Sequence, residues 1–159
     1  MGAWGYGIFE NDETMDWTAE LVNEKGIEFL QNTITQVLAE EYIELEAASS
    51  ALGAIEVWAA LHGKLSHELK AEFEHNEDLE KWIKEHSRAG IHMKDLAKQA
   101  VKRILEESEL KELWEESGEY QKWERTIKDL ETRIEELKWM YSAAIDPGLI
   151  AQYLLPNLN

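Results

Sequence analysis

Residues 1–12, MGAWGYGIFEND, form the stretch around which the sequence predicts the rest of the chain to be arranged. The large residues Trp4, Tyr6 and Ile8 alternate with two glycines, a pattern typical of an extended segment with one bulky face and one bare face. Glycine also permits a positive φ or the close approach of another backbone. We therefore expect an extended arm whose aromatic side chains lie in a groove between the helices that follow.

The residues after the arm predict the start of a helix. Asn11 and Asp12 are typical N-cap residues, and Asp16 adds negative charge where the helix dipole favours it. If the arm is docked as expected, Trp4→Ala removes a buried tryptophan and costs about 3–5 kcal/mol. The arm also has a functional interpretation as a recognition surface. Candidates for a binding role or a structural motif are Trp4, Tyr6, Phe9, Asn11, Asp12, Asp16, Trp17, Glu56 and Trp58.

Residues 44–62 are the most apolar helical segment of the chain. Two apolar stripes at helical spacing lie side by side along it, which predicts a central helix with neighbours on several sides. Only two prolines occur in the 159 residues, both after residue 146, so little interrupts helices before that point. The sequence predicts one compact all-α domain over 1–159, with seven or eight helices and the arm packed against helix 44–62.

A stricter pattern begins near residue 119. Apolar residues step by four and three, as in a coiled-coil seam of about three heptads, at Trp123, Ile127, Leu130, Ile134, Leu137 and Tyr141. This helix either packs along a neighbour in the same chain, such as 93–107, or forms a homodimer seam through Trp123 to Tyr141. Asp146-Pro147-Gly148 is expected to end the helix, and residues 149–155 to form a last short helix.

Composition and charge exclude several classes of function. The net charge is −17, with −14 in residues 1–79 and −3 in residues 80–159. Such a field repels phosphate backbones and anionic lipids, which argues against nucleic-acid or membrane-surface binding, and it favours encounter with a basic partner. Cysteine is absent, so disulfides and thiolate chemistry are excluded. No signal peptide or membrane-length apolar run is present, and we expect a soluble cytoplasmic protein.

Glu56 is a lone acid on an otherwise apolar face of the central helix. A buried carboxylate is costly unless it is hydrogen-bonded, and such sites can be functional. The structural interpretation is that it accepts hydrogen bonds from a tryptophan N–H or from backbone N–H groups of the arm. The functional interpretation makes it part of a pocket beside the arm.

No cofactor or metal site is predicted. Glu72 and His75 have the carboxylate–histidine spacing of di-iron helical bundles, but such sites need a second pair and two further acids. No serine has a histidine at a spacing that suggests nucleophilic catalysis, and the glycines of the arm lack the strand and lysine of a phosphate-binding loop.

The chain resembles a known family. Residues 2–12 (GAWGYGIFEND), followed by Met15-Asp16-Trp17 and Leu21, are similar to the opening of the bacterial domain of unknown function 4259. Residues 51–64 and 108–115 match it as well, so the resemblance covers roughly residues 1–138 and leaves 139–159 outside. The family has no established activity. The resemblance implies small acidic proteins of a kind suspected to neutralise toxins or to act as accessory proteins.

Two functions follow from these observations. The first is a non-catalytic acidic protein that binds a basic intracellular partner, such as a toxin. The alternative is an enzyme or small-ligand-binding protein that uses Glu56 and the aromatic arm as a pocket. A purely structural coiled-coil dimer is a third possibility.

Overall fold

The computed structural model describes the backbone of residues 3–144 and the side chains of residues 3–137. Within these ranges the chain forms eight α-helices, one short 3-10 helix and no strand. This confirms the predicted all-α fold. The helices are α1 (Asp12–Leu21), α2 (Glu28–Ala39), α3 (Leu45–Leu61), α4 (His67–Glu72), α5 (Glu77–Glu85), α6 (Lys94–Glu106), α7 (Glu109–Ser117) and α8 (Tyr120–Ala144), with the 3-10 turn Ile91–Met93 before α6.

Helix α3 is the centre of the structure, as its all-round apolar sequence predicts. Every residue from 51 to 59 is buried, and α3 packs against α1, α2, α5, α6, α7 and α8. Small residues allow this crowding. At Gly53, a Cβ atom would lie only 2.5 Å from the Cγ2 methyl of Thr14 on α1. Glycine at this position therefore sets how closely α1 approaches α3.

The heptad seam of α8 faces helices of the same chain. Its first five apolar positions, Trp123 to Leu137, are all buried, and α8 packs against α6, α7 and α3. This confirms that the seam runs along the helix predicted near 93–107. A homodimer through α8 stays a prediction, and it would have to use residues other than these five.

The N-terminal segment is a closed loop instead of an extended arm. Ala3 and Asn11 form an isolated antiparallel bridge, and the Trp4 N–H donates to the Glu10 carbonyl at 3.0 Å. The Glu10 N–H in turn donates to the Gly7 carbonyl at 3.1 Å. The chain thus folds back on itself, and residues 3–11 are called the N-terminal loop below. Because the loop turns, the alternation of large and small residues does not place all the large ones on one face.

Some predictions lie outside the described residues. They are the Tyr141 side chain, the helix end at Asp146-Pro147-Gly148 and the last short helix at 149–155. Within the described part, none of the helices combines the length and the apolar character that crossing a membrane requires.

The contact between α1 and α3 yields a stability prediction. Gly53→Val should lower the free energy of unfolding by about 1–3 kcal/mol, because the added atoms collide with the buried and stiff Thr14 side chain. The measurement is urea denaturation.

Gly26→Val is the matched control. The nearest atom to a Cβ at Gly26 is the carboxylate oxygen of Glu28, an exposed side chain that can swing away. A cost at Gly53 no greater than that at Gly26 would contradict the packing described for α1 and α3.

Candidate functional site

The two aromatic residues at the start of the N-terminal loop are exposed. The Trp4 residue is 61% exposed and Tyr6 is 39% exposed. The prediction that both side chains are docked between helices is therefore wrong. The loop is anchored instead by Ile8 and Phe9, which are almost completely buried, and by its own backbone hydrogen bonds.

Three other predicted residues belong to the core. Phe9, Trp17 and Trp58 are all buried. The indole N–H of Trp17 donates to the Thr33 hydroxyl at 2.8 Å, and that of Trp58 donates to the Gly90 carbonyl at 2.7 Å. Since all three side chains are buried and both indole N–H groups are paired inside the protein, these residues stabilise the fold and have no side-chain group available to a ligand.

The predicted helix start forms as expected. Asn11 is the N-cap of α1, and its Oδ1 accepts a hydrogen bond from the Thr14 N–H at 2.8 Å. Its Nδ2 also donates to the Ile8 carbonyl at 3.0 Å, which ties the N-terminal loop to the helix. Asp12 and Asp16, by contrast, are exposed on the surface of α1.

Glu56 is paired with an arginine from α8. Its residue is 1% exposed, and the guanidinium of Arg133 binds both carboxylate oxygens, at 2.8 Å from Nη1 and 2.7 Å from Nη2. Arg133 Nη1 also donates to the Lys64 carbonyl at 3.0 Å, and its Nε to Asp129 Oδ2 at 2.9 Å. The expected partners of Glu56, a tryptophan or the backbone of the arm, are therefore wrong. Arg133 is the partner instead, because its long side chain reaches Glu56 from the neighbouring helix α8.

The pair is held by opposing electrostatic effects. Burial raises the pKa of Glu56, and the hydrogen bonds and charge of Arg133 act against this rise. Burial also works to lower the pKa of Arg133, but its bonds to Glu56 and Asp129 outweigh this effect and raise it. Since arginine stays protonated in proteins, Glu56 faces a permanent positive charge. Its carboxylate is thus occupied and is not available as a free catalytic base.

The residue that does bind the N-terminal loop is Glu68 on α4. Its two carboxylate oxygens accept hydrogen bonds from the Ile8 N–H at 3.0 Å and the Phe9 N–H at 2.9 Å. A Cβ at Gly7 would lie 2.4 Å from Glu68 Oε2. Glycine at position 7 is therefore needed for the close approach of this carboxylate.

An open groove of about 400 Å³ lies over the Glu56–Arg133 pair, between the N-terminal loop, α4 and α8. We call it the Tyr6 groove. Its lining residues are Tyr6, Glu56, Ser66, His67, Glu68, Lys122, Arg125, Thr126, Asp129 and Arg133. Tyr6 and Glu56 thus share one concave surface, as the pocket hypothesis requires, although the acid at its base is already paired.

Sequence reasoning missed Arg133 and Glu68. A signal for Arg133 was present, since it occupies a g position beside the seam, where charged residues commonly form interhelical ion pairs. Glu56 lies 77 residues away, and nothing local links the two. Glu68 carried no signal, because it is one acid among many in an acidic half.

Glu72 and His75 bind each other. The His75 Nε2 lies 3.2 Å from Glu72 Oε1. Among the residues with described side chains, no group of three or more histidine and acidic residues is arranged to hold a metal ion.

The Glu56–Arg133 pair predicts a large coupling energy. Arg133→Met should cost about 3–5 kcal/mol of unfolding free energy, because it leaves a buried carboxylate unpaired. Adding Glu56→Leu to that variant should recover most of the loss. Urea denaturation of the four proteins of this double-mutant cycle measures the coupling.

Lys128→Met serves as the control on the same helix, since Lys128 is exposed. If Arg133→Met and Lys128→Met destabilised the protein equally, the buried pair would not exist in solution.

The Glu68 contact predicts a pH dependence. Burial, with the nearby charges of Glu56 and Glu10, raises the pKa of Glu68 against the lowering effect of the Phe9 and Ile8 N–H groups. The folded protein therefore binds this proton more tightly than the unfolded chain does. Its contribution to stability is complete below the ordinary glutamate pKa of 4.5 and is lost as the pH rises through the raised value.

The measurement is the urea midpoint of the wild type and of Glu68→Gln over this pH range. The stability of the wild type relative to the variant should fall as the pH rises. Glu74→Gln, at an exposed acid just after α4, should keep the wild-type dependence. If the difference in urea midpoint between the wild type and Glu68→Gln did not change with pH, the raised pKa of Glu68 would be refuted.

Comparison with known proteins gives a family and no activity. No curated protein and no solved structure gives a significant match to the chain. A family model described as a domain of unknown function (DUF4259) matches residues 2–126. The match includes the N-terminal loop and ends short of residue 138, where the sequence resemblance was expected to end. It covers well over half of the 159 residues, and the chain therefore belongs to the DUF4259 family.

Proposed function

We propose that this chain is a non-catalytic binding protein that engages a basic intracellular protein, in the manner of a toxin-neutralising or accessory protein. The observation that carries the proposal is the exposure of Trp4, whose backbone lies near the start of α1, together with a line of unpaired acids along α1. Those acids are Asp12, Asp16 and Glu20, which we call the acidic ridge.

The acidic ridge is one continuous line of charge. Its residues are spaced four apart and all three are exposed. None of them forms an ion pair with a described residue. Like charges at this spacing destabilise a helix by about 0.2–0.5 kcal/mol per pair. Glu20 also lies near the C-terminal end of α1, where the helix dipole disfavours negative charge. Helix stability alone does not account for the ridge.

The backbone of Trp4 lies near the N-terminal end of the ridge. Its N–H donates to the Glu10 carbonyl, which places its backbone beside the residues that lead into Asp12. Tryptophan is enriched among the residues that dominate binding energy, and its ring also attracts Arg and Lys side chains. An exposed tryptophan whose backbone lies near the start of a line of unpaired acids therefore suits a partner surface rich in Arg and Lys. The charge of −14 in residues 1–79 would speed its approach.

The test is capture of proteins from a native-cell lysate on three immobilised proteins: the wild type, Trp4→Ala and the triple variant Asp12→Asn/Asp16→Asn/Glu20→Gln. The wild type should retain basic proteins at low salt and release them as salt is added, because exposed charges are screened. Both variants should lose the same proteins, as identified by mass spectrometry.

Matched controls separate this surface from general charge and apolar exposure. Glu106→Gln/Glu107→Gln/Glu116→Gln removes three exposed acids elsewhere, and Ile91→Ala removes an exposed apolar side chain. Both controls should retain the partner. Trp4→Ala should keep the wild-type stability to within about 0.5 kcal/mol, since the residue is largely exposed. Equal capture by all variants, or capture of acidic proteins alone, would refute the proposal.

A further inference from the structure

A small cavity lies between the N-terminal loop and helices α1, α3, α7 and α8, and we call it the loop cavity. Its volume is about 20 Å³, and about 10–15 Å³ is enough for one water molecule. On the loop side the cavity borders the surface, because Ala3, Gly5 and Gly7 are partly exposed and Tyr6 is exposed. The loop cavity therefore has room for one group about the size of a water molecule, close to solvent.

The charge that lines the loop cavity is negative. Glu13 is the one acid among the lining residues, and no lysine, arginine or histidine lines the cavity. The Oε2 atom of Glu13 is buried and has no hydrogen-bond partner among the described residues. None of the ion pairs between described side chains includes Glu13. A buried carboxylate oxygen is costly unless a donor binds it, so Glu13 lacks the partner that its position requires.

Three aromatic side chains line the same cavity, those of Tyr6, Trp114 and Trp123. The two tryptophans are 7% and 2% exposed, so the packing of α7 and α8 holds them in place. Aromatic rings attract ammonium groups, and tryptophan does so most strongly. A carboxylate and three aromatic residues around one small space are therefore typical of a site for an organic cation.

A metal ion suits the loop cavity less well than an ammonium group. Calcium binds about six to eight oxygen atoms, and magnesium requires an octahedral set. Besides Glu13, the side-chain oxygens of the lining residues are those of Tyr6, Asn11 and Ser49. The Asn11 Oδ1 already accepts a hydrogen bond from the Thr14 N–H. The lining thus supplies too few oxygens for a metal ion.

We propose that the loop cavity binds the ammonium group of a primary alkylamine. The single positive charge of this group matches the single carboxylate of Glu13, and its size is close to that of a water molecule. The larger guanidinium and trimethylammonium groups do not fit. The alkyl chain leaves the cavity on the loop side, where the lining residues are partly exposed. A free amine and the lysine side chain of another protein carry the same group.

The experiment is an NMR titration of the ¹⁵N-labelled full chain, at neutral pH and constant ionic strength, with n-butylammonium, tetramethylammonium and 1-butanol. The n-butylammonium ion should give saturable shifts of the indole N–H resonances of Trp114 and Trp123. Tetramethylammonium exceeds the cavity in size and 1-butanol lacks the charge, so both should bind at least about tenfold more weakly, equivalent to about 1.4 kcal/mol. Equally tight binding of either would overturn the assignment. Linear, unsaturable shifts with n-butylammonium would also overturn it and would leave water as the occupant.

A blocked tripeptide distinguishes the two sources of the ammonium group. Acetyl-Gly-Lys-Gly-amide presents this group on a lysine side chain that is attached to a backbone. If it binds as tightly as n-butylammonium, the site accepts a protein lysine, and if it binds more weakly, the site is one for free amines. Failure of both ligands to bind would refute the ammonium site.

Variants of α1 locate the site. Glu13→Gln should weaken n-butylammonium binding at least about tenfold, and its urea midpoint should stay near that of the wild type because Glu13 forms no ion pair with a described residue. Asp16→Asn removes an exposed acid of the same helix that does not line the cavity, and it should bind like the wild type. Equal losses in the two variants would show an effect of general charge and overturn the site. The loop cavity is lined by neither Trp4 nor the acidic ridge, so this proposal and the binding of a basic protein can each fail without the other.

Discussion

The bidentate ion pair between Glu56 and Arg133 is the interaction on which the arrangement of α3 and α8 depends. Helix α3 is buried on nearly all sides, and a carboxylate at its centre is tolerated only with a partner that supplies both charge and hydrogen bonds. Arg133 provides them through a planar fork that fits both oxygens. Sliding α8 by one turn would keep apolar contacts along the seam but leave Glu56 unpaired. We therefore infer that the pair specifies the register of α8 as well as its proximity.

A second constraint is the backbone of the N-terminal loop. A segment with little secondary structure must satisfy its N–H groups in another way, because an unpaired buried donor is costly. The Gly7 N–H donates to Glu10 Oε1 at 3.1 Å, and the next two N–H groups bind Glu68. Acidic side chains thus replace the strand partner that this segment lacks. The closed loop turns Trp4 and Tyr6 outward, and Tyr6 then forms one wall of the groove above the ion pair.

The sequence predicts the parts of this structure that follow from periodic burial. The all-α fold, the central α3 and the seam of α8 are visible because apolar residues recur at helical spacing over many positions. The environment of the N-terminal loop is not visible in this way. Alternation of large and small residues indicates two faces, yet a segment of nine residues can close on itself, and its hydrogen bonds then decide which side chains are buried. The predicted N-cap at Asn11 is therefore confirmed, whereas the docking expected for Trp4 and Tyr6 is wrong.

The candidate site shows a similar limit. That Glu56 needs a partner follows from its place on an apolar helix, but the identity of the partner depends on a contact between residues 77 positions apart. Arg133 could be suspected from its position beside the seam, whereas Glu68 is indistinguishable in sequence from the solvent-exposed acids around it. Long-range pairing of single charges leaves no periodic trace, so only the folded structure identifies it.

The surface charges that remain for binding are those the interior does not use. Four charged residues form the contacts that hold α8 and the N-terminal loop in place, namely Arg133, Glu56, Glu68 and Asp129. The Tyr6 groove is lined by three acids and three lysine or arginine residues, although acids outnumber bases by 33 to 16 in the chain. On α1 no base is consumed or present, and the acidic ridge keeps its full charge. The two surfaces therefore differ in charge, because the Tyr6 groove has acids and Lys or Arg residues in equal number and the acidic ridge has acids alone. Because both aromatic residues belong to one loop anchored on Glu68, weakening that anchor should disturb both surfaces together, whereas changes on α1 or α8 should affect only one.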